Sequence, residues 1–274
     1  MKETTVSVFS AGDAGGNPCT IVEGRRSGEE MIALARTKGH ECCLAVRESP
    51  RRYAVRFFAP SGEMDMCAHA SAAAAWLVGE SDGSVTTFTS RGGVVRGFKS
   101  GLADVSISQP RGYAEPCDAG PALLALGLSP CELASGAAVV NAASTRAKTL
   151  VPIAAIERLQ RLDPDPDDVR VACDVLGSTG LYPWVATAPN QIEARQFPRG
   201  AGYREDPATG VAAAALFFAL GAPQSGLTVD QGRAMGRLSR ISVLTDPFGD
   251  GCLLSGRVRT VARTEDTRMS AIAS

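Results

Sequence analysis

A chain of 274 residues is long enough for one or two domains with a substantial core, and 45% hydrophobic with 21% charged residues excludes a disordered chain. With 28 Lys and Arg against 29 Asp and Glu, the net charge is −1, so no global positive field exists to attract nucleic acid or an acidic membrane. Aromatic residues make up only 5%, leaving Val, Leu, Ile and above all Ala to build the core.

Alternation predicts strands at Thr4 to Phe9 and Cys19 to Val22, joined by a Gly-rich turn that Asn17-Pro18 closes. Ser27 to Lys38 reads as a helix: Ser27 caps it, Glu30 completes a capping box, and Gly39 ends it. Cys42, Leu44 and Val46 alternate as a strand, with Tyr53, Val55 and Phe57 as its hairpin partner. Val85 to Thr89, Val94 to Phe98 and Ala103 to Ser108 form a predicted meander. A Pro- and Gly-containing stretch from Pro110 to Gly136 is the candidate linker.

Strands are expected to resume at Ala138 to Val140 and Thr149 to Pro152, followed by a helix over Ile153 to Arg161 and an acidic loop over Asp163 to Asp168. Further strands are expected at Arg170 to Cys173, Trp184 to Thr187, Ile192 to Phe197, Ser239 to Thr245 and Cys252 to Val261. The domain boundaries that follow are 1–112, a linker at 113–136, a second half at 137–262 whose last strand can cross back to the first, and a polar, frayed tail at 263–274.

Two helices have almost no polar face, ASAAAAWLV at 70–78 and AAAALFFAL at 212–220. A helix apolar all round is buried on all sides, and in a strand-rich chain its place is inside a curled sheet; a pair of ordinary core helices fits the periodicity equally well. The segments leading into them are related. Glu63, Cys67 and the first Ala run match Glu205, Thr209 and the second at a constant offset of 142 residues. This repeat predicts a duplicated domain whose two helix starts, near Cys67 and Thr209, face each other across a cleft.

The longest apolar run, Val211 to Ala222, is short of the ~20 residues that span a bilayer, and the N-terminus has no signal-peptide pattern, so a soluble cytoplasmic protein is expected. Eight Cys with no C-x-x-C pair and two His, His40 and His69, argue against a zinc site and against disulfides. Neither a dinucleotide fingerprint nor a phosphate loop is present, so no cofactor is expected. The chemistry must come from side chains.

The starts of the two Ala helices offer unpaired N–H groups and positive dipole ends, a suitable seat for a substrate carboxylate. There Gly210 allows close approach and Ala68 slightly less. His69 and Asp206 stand at these entrances; Asp206 reads equally as an N-cap or as catalytic support. Glu41 lies among Cys42, Cys43 and Leu44, and burial there would raise its pKa toward that of a proton shuttle, unless it is a surface residue at a strand end. Cys67 at a helix start reads as a thiolate base or nucleophile, although its counterpart Thr209 cannot serve as a matching base. Cys42 and Cys43 read as buried packing.

GNPCTIV at 16–22, HECCLAV at 40–46, MCAHASAAAA at 66–75, EDPATGVAAAAL at 205–216 and QGRAMGRLSRISV at 231–243 resemble the PhzF-like phenazine-biosynthesis family, which has the diaminopimelate epimerase-like fold. The resemblance runs in order through nearly the whole chain. It implies an α+β fold of two pseudo-symmetric half-domains, each a curled, mostly antiparallel sheet around a central Ala-rich helix, with the active site between them. It also implies cofactor-free proton chemistry on a small carboxylic acid and a homodimer. Carried over, the catalytic positions are Glu41, His69 and Asp206, and the pocket takes in Asn17, Cys67, Ala68, Ala70, Thr209, Gly210 and Val211. The family often has Gly at the position of Ala68 and usually Ser at that of Val211. An apolar residue at 211 suits a smaller or less polar ligand than a phenazine precursor. The expected reaction is a proton and double-bond shift in an unsaturated acid, a pyrroline or cyclohexadiene acid of an antibiotic pathway. An epimerase using Cys67 and a non-catalytic binding homologue are the alternatives.

Overall fold

The computed structural model describes residues 2–13 and 15–265. The first half of the chain forms β1 (Lys2–Val8), β2 (Asn17–Glu23), α1 (Gly28–Lys38), β3 (Cys42–Ser49), β4 (Arg52–Ala59), β5 (Gly62–Met64), α2 (Ala68–Val78), β6 (Asp82–Ser90), β7 (Gly93–Ser100) and β8 (Asp104–Gln109). There follow β9 (Tyr113–Pro116), α3 (Gly120–Leu126), β10 (Val140–Ala143), β11 (Lys148–Pro152), α4 (Ile156–Gln160) and α5 (Pro166–Leu176). The chain ends with β12 (Gly180–Ala188), β13 (Gln191–Ala194), β14 (Phe197–Pro198), α6 (Gly210–Ala219), β15 (Leu227–Gln231), β16 (Ser239–Thr245) and β17 (Cys252–Glu265). The fold is mixed α+β and dominated by sheet. Among the described residues no helix is long and apolar enough to cross a membrane.

Within the described residues the chain divides into two compact units, one of residues 2–8, 18–107 and 257–265, the other of 9–17 and 108–256. These boundaries replace those expected from sequence. Residues 9–17 belong with the second unit, and β17 contributes to both. The expected 113–136 linker is not a linker: it carries β9 and α3, and Ala122, Leu123, Ala125 and Leu126 enter the second unit's core.

In the first unit, β1 pairs antiparallel with β17, Val6 opposite Thr260, with a register shift between Thr5 and Val6. β2 and β3 are parallel, β3 and β4 form the expected hairpin, β4 and β6 are parallel, and β6 to β8 form the meander. Strand β1 ends one residue short of expectation, because Phe9 takes a left-handed φ of 62°. α1 has its full capping box, Ser27 Oγ accepting from Glu30 N–H and Glu30 accepting from Ser27 N–H, and it closes on left-handed Gly39. Its Met31 and Ala35 pack on Val22, Cys42, Leu44 and Phe58.

Strand β3 is buried on both faces from Cys42 to Ala45, so its alternation does not mark a solvent face. α2 explains this: every residue from Ala68 to Trp76 is buried, and the helix packs on β1, β3 and β7. Its alanines allow close approach. A Cβ at Gly97 of β7 would lie 2.6 Å from that of Ala75, so the contact is built from the two smallest residues.

In the second unit, β10 pairs antiparallel with β9 and β11, β11 is parallel to β12, and β12 is antiparallel to β13 and β14. β13 and β15 are parallel, and β15 to β17 continue antiparallel. α6 is buried from Gly210 to Phe217 and packs on β9, β10, β11 and β16. A separate core joins α3, α4 and α5 to the opposite face of the sheet through Leu159, Val169, Leu181, Val185 and Phe197.

Four sequence expectations differ from the structure here. Arg170 to Cys173 is not a strand and Asp163 to Asp168 is not wholly loop, because α5 starts at Pro166 with Asp165 as its cap and buries Val169, Ala172 and Cys173. The expected helix from Ile153 is shortened, since Ile153 bridges to Leu133 in sheet fashion. The tail expected at 263 begins later, because β17 runs to Glu265; residues 266–274 lie outside the described residues.

Candidate active site

In the first unit, Gly39 stops α1 and turns the chain so that Glu41 immediately precedes β3. The Glu41 carbonyl accepts from Thr20 N–H at 3.2 Å, which ties it to β2. Its carboxylate points inward and the residue is 5% exposed. His69, the second residue of α2, is equally buried. Its Nε2 lies 3.6 Å from Glu41 Oε2, and its Nδ1 lies 3.3 Å from Cys67 Sγ. One imidazole therefore lies against both a carboxylate and a thiol. The longer Glu41 distance is within ion-pair reach but beyond a direct hydrogen bond.

Burial pushes the Cys19 thiol well up, reinforced by Cys43, Cys67, Cys42 and Glu41, and burial pushes Cys43 up as well. All eight cysteines are free.

In the second unit, Asp206 organises the turn before α6. Its Oδ1 accepts from Asn17 Nδ2 at 2.6 Å and from Ala208 N–H at 3.2 Å, and its Oδ2 accepts from Thr209 Oγ1 at 2.7 Å. The cap of α6 is Thr209, not Asp206, and no side chain caps it. Of the two roles open to Asp206, capping is therefore set aside. Cys67, the cap of α2, likewise has no side-chain capping bond. The two caps are 142 positions apart, as are the first helical residues Ala68 and Gly210, which is the offset of the sequence repeat. Ala68, Ala70, Gly210 and Val211 occupy the first turns and are buried.

Three contributors escaped the sequence reading. Gln231 donates through Nε2 to the Asp206 carbonyl at 2.6 Å and to Thr209 Oγ1 at 3.1 Å, while its Oε1 accepts from Thr209 N–H and Tyr182 OH. Tyr182 is buried, and desolvation followed by the Asp206 charge holds its phenol well above the ordinary value, so it stays a donor. Arg195 grips Glu205 with a two-pronged ion pair at 2.9 and 2.6 Å and donates to the carbonyls of Leu159, Gln160 and Leu162 at the end of α4. It anchors the residue beside Asp206. A signal for Gln231 existed, since it opens the QGRAMGRLS segment. Gly232 is left-handed at φ 82°, and a side chain there would strike the carbonyls of Pro207 and Arg237.

The Glu–His–Cys group and the buried Asp–Asn–Thr turn each stand at the start of an apolar helix within an α+β fold. The chain belongs to the phenazine biosynthesis-like family (PhzC-PhzF), whose profile matches residues 6–261. An uncharacterized isomerase of Deinococcus radiodurans is 26% identical over 97% of this chain and 88% of its own. Among solved structures, a protein described as a predicted epimerase from Pseudomonas aeruginosa superposes with a TM-score of 0.83 at 23% identity, covering 97% of this chain and 99% of that one. A PhzF-family phenazine biosynthesis protein from Bacillus anthracis gives 0.82 at 18% identity, covering 96% and 98%. A probable proline racemase from Agrobacterium radiobacter gives 0.62 at 12% identity, covering 97% and 93%, a likeness of fold.

Proposed function

We propose that the protein is a cofactor-independent isomerase that moves a proton, and with it a double bond, within a small unsaturated carboxylic acid. The observation that carries this reading is the buried Glu41–His69 pair at the uncapped start of α2. Glu41 takes a proton from one carbon; the C–H electron pair shifts the double bond, and the proton returns at another carbon. Atoms and charge balance without a co-reactant. His69 holds the proton-bearing carboxyl in line and relays toward Cys67. The substrate carboxylate is received by the first-turn N–H groups of α2, which no side chain caps. Asp206, with its oxygens engaged by Asn17, Ala208 and Thr209, is a positioning residue that shapes the second helix start.

The family likeness and the repeat favour two pseudo-symmetric halves in a protein that works as a homodimer. Val211 and Ala68 present methyl groups where a polar or open position would suit a more hydroxylated ligand. This favours a pyrroline or cyclohexadiene acid of secondary metabolism. The test is proton NMR of such acids incubated with the protein in deuterated water. A shifted double bond with deuterium at the new C–H site supports the reading; unchanged acids across both ring classes would sink it.

A second reading, epimerisation at Cys67, is favoured by the 3.3 Å contact between Cys67 Sγ and His69 Nδ1. Against it, the equivalent position holds Thr209, whose hydroxyl is committed to Asp206. Deuterium exchange at a stereocentre with no movement of a double bond would favour this alternative.

A further inference from the structure

Lys148 opens β11 in the second unit and is 3% exposed, an unusual state for an ammonium group. Among the described residues it forms no ion pair; its Nζ makes one long hydrogen bond, 3.4 Å to the Thr179 carbonyl, which already accepts from Arg199 N–H. Gln196, 1% exposed, leaves both its side-chain nitrogen and oxygen without a hydrogen-bond partner. Such a buried amide costs about 1–3 kcal/mol if nothing satisfies it.

These two side chains reach adjacent residues, Thr179 and Gly180. The parallel register of β11 and β12, Thr149 opposite Leu181, sets Lys148 beside Gly180, on the same face of the sheet. The Gln196 Nε2 occupies the place a Cβ on Gly180 would fill. The amine thus reaches the Thr179 carbonyl while the amide lies against Gly180, at the two ends of one peptide unit. This is the α6 side of the sheet, since Leu181 and Phe197 point into the opposite core. The Gln196 carbonyl also accepts from Asp206 N–H at 3.0 Å, which places the pair next to the turn before α6.

The unmet groups are rich in donors: an ammonium and a carboxamide NH2 against a single carbonyl oxygen. Asp206 favours the Lys148 ammonium through its charge but makes no ion pair with it, and its oxygens accept from Asn17, Ala208 and Thr209. We propose that Lys148 and Gln196 form a binding subsite for a carboxylate group in the second unit, one oxygen on Nζ and the other on Nε2. The subsite stands apart from the isomerase reading and holds or fails without it. Burial and the nearby Arg146 lower the Lys148 pKa to about 7, so at pH 6 the amine carries its proton.

The experiment is thermal unfolding of the full chain at pH 6 with increasing acetate, ionic strength held constant with chloride. Acetate near 100 times its Kd should raise the melting temperature by roughly 5 °C. Lys148→Met and Gln196→Leu should each abolish most of that rise. Gln196→Glu, which keeps the shape and adds a carboxylate beside the amine, should raise the melting temperature without acetate and abolish the response. It also keeps the test decisive should either of the other variants not fold. No acetate response in the wild type, or an undiminished response in Gln196→Glu, would overturn the proposal.

Discussion

Asn17 and Asp206 are 189 positions apart in the chain, yet Asn17 Nδ2 donates to Asp206 Oδ1 at 2.6 Å in a buried setting. The same amide donates to the Ala208 carbonyl at 3.0 Å, so one side chain fixes both the acid and the turn that follows it. Asn17→Ala leaves a buried carboxylate oxygen short of a donor and should cost about 1–3 kcal/mol of stability. Asn17→Asp should cost more, because two buried carboxylates then face each other. Denaturant unfolding of both variants checks the order.

Glu41→Gln keeps the shape of the side chain but cannot accept a proton. General acid–base catalysis contributes about 10²–10⁴-fold, and turnover should fall by roughly that factor while substrate still binds. Glu41→Asp should also fail, because about 1 Å of misplacement costs ~10²-fold. Steady-state rates on the identified substrate decide this; near wild-type turnover in Glu41→Gln would remove Glu41 from the mechanism.

Cys67 touches His69 but is not the proposed base. Cys67→Ala should lower turnover only modestly, about 10-fold or less against the larger loss expected for a missing acid–base group. A loss matching that of Glu41→Gln would move the chemistry to the thiol.

Lys148 gives stability a pH dependence whose sign is fixed by its environment. Desolvation, then the charge of Arg146, lowers its pKa to about 7, with Asp206 and Cys173 acting in the opposite direction. The unfolded chain holds the same proton up to about pH 10.4. Between these values the unfolded state binds more protons, so this group's contribution to stability rises with pH; below about 7 its full cost is present. Lys148→Met should therefore be more stable than the wild type at pH 6, by on the order of 2–4 kcal/mol, with the gain shrinking toward pH 10. Urea unfolding across that range measures it, and a pH-independent difference would contradict the assignment.

Among the described residues no group of three His, Cys, Asp or Glu side chains is arranged to hold a metal. Activity should survive dialysis and chelation unchanged. Restoration only on adding a metal, a flavin or pyridoxal phosphate would refute cofactor independence.

Much of the fold was legible where local chemistry decides it. Ser27, Glu30 and Gly39 mark both ends of α1, and the unbroken alanines of α2 and α6 announce their burial. α5 was missed although Asp165-Pro166 is a helix-opening pair and Val169, Ala172, Cys173 and Leu176 fall on one helical face. Arg170 to Cys173 is too short to separate strand from helix, whereas the longer window has a period near 3.6. The stretch from 113 to 136 was misread because Pro and Gly there open and close α3 rather than loosen the chain. At the site, Glu41, His69 and Cys67 were legible and do lie together. Tyr182 and Arg195 were not, because their roles come from contacts between distant segments that no local pattern encodes, and Gln231 is marked only by the QGRAMGRLS segment it opens.

The pairing of β1 with β17, Val6 opposite Thr260, has a consequence for how the protein is made. A ribosome delivers β1 first and β17 last, so the sheet of the first unit keeps an open edge at β1 throughout synthesis. The residues 18–107 can gather around α2 early, but the unit closes only when nearly the whole chain has left the exit tunnel. During that interval the edge of β1 away from β2, with Val6 and Val8 destined for the core, is a template for the wrong partner. Chains truncated before residue 257 should accordingly aggregate rather than yield a folded first unit.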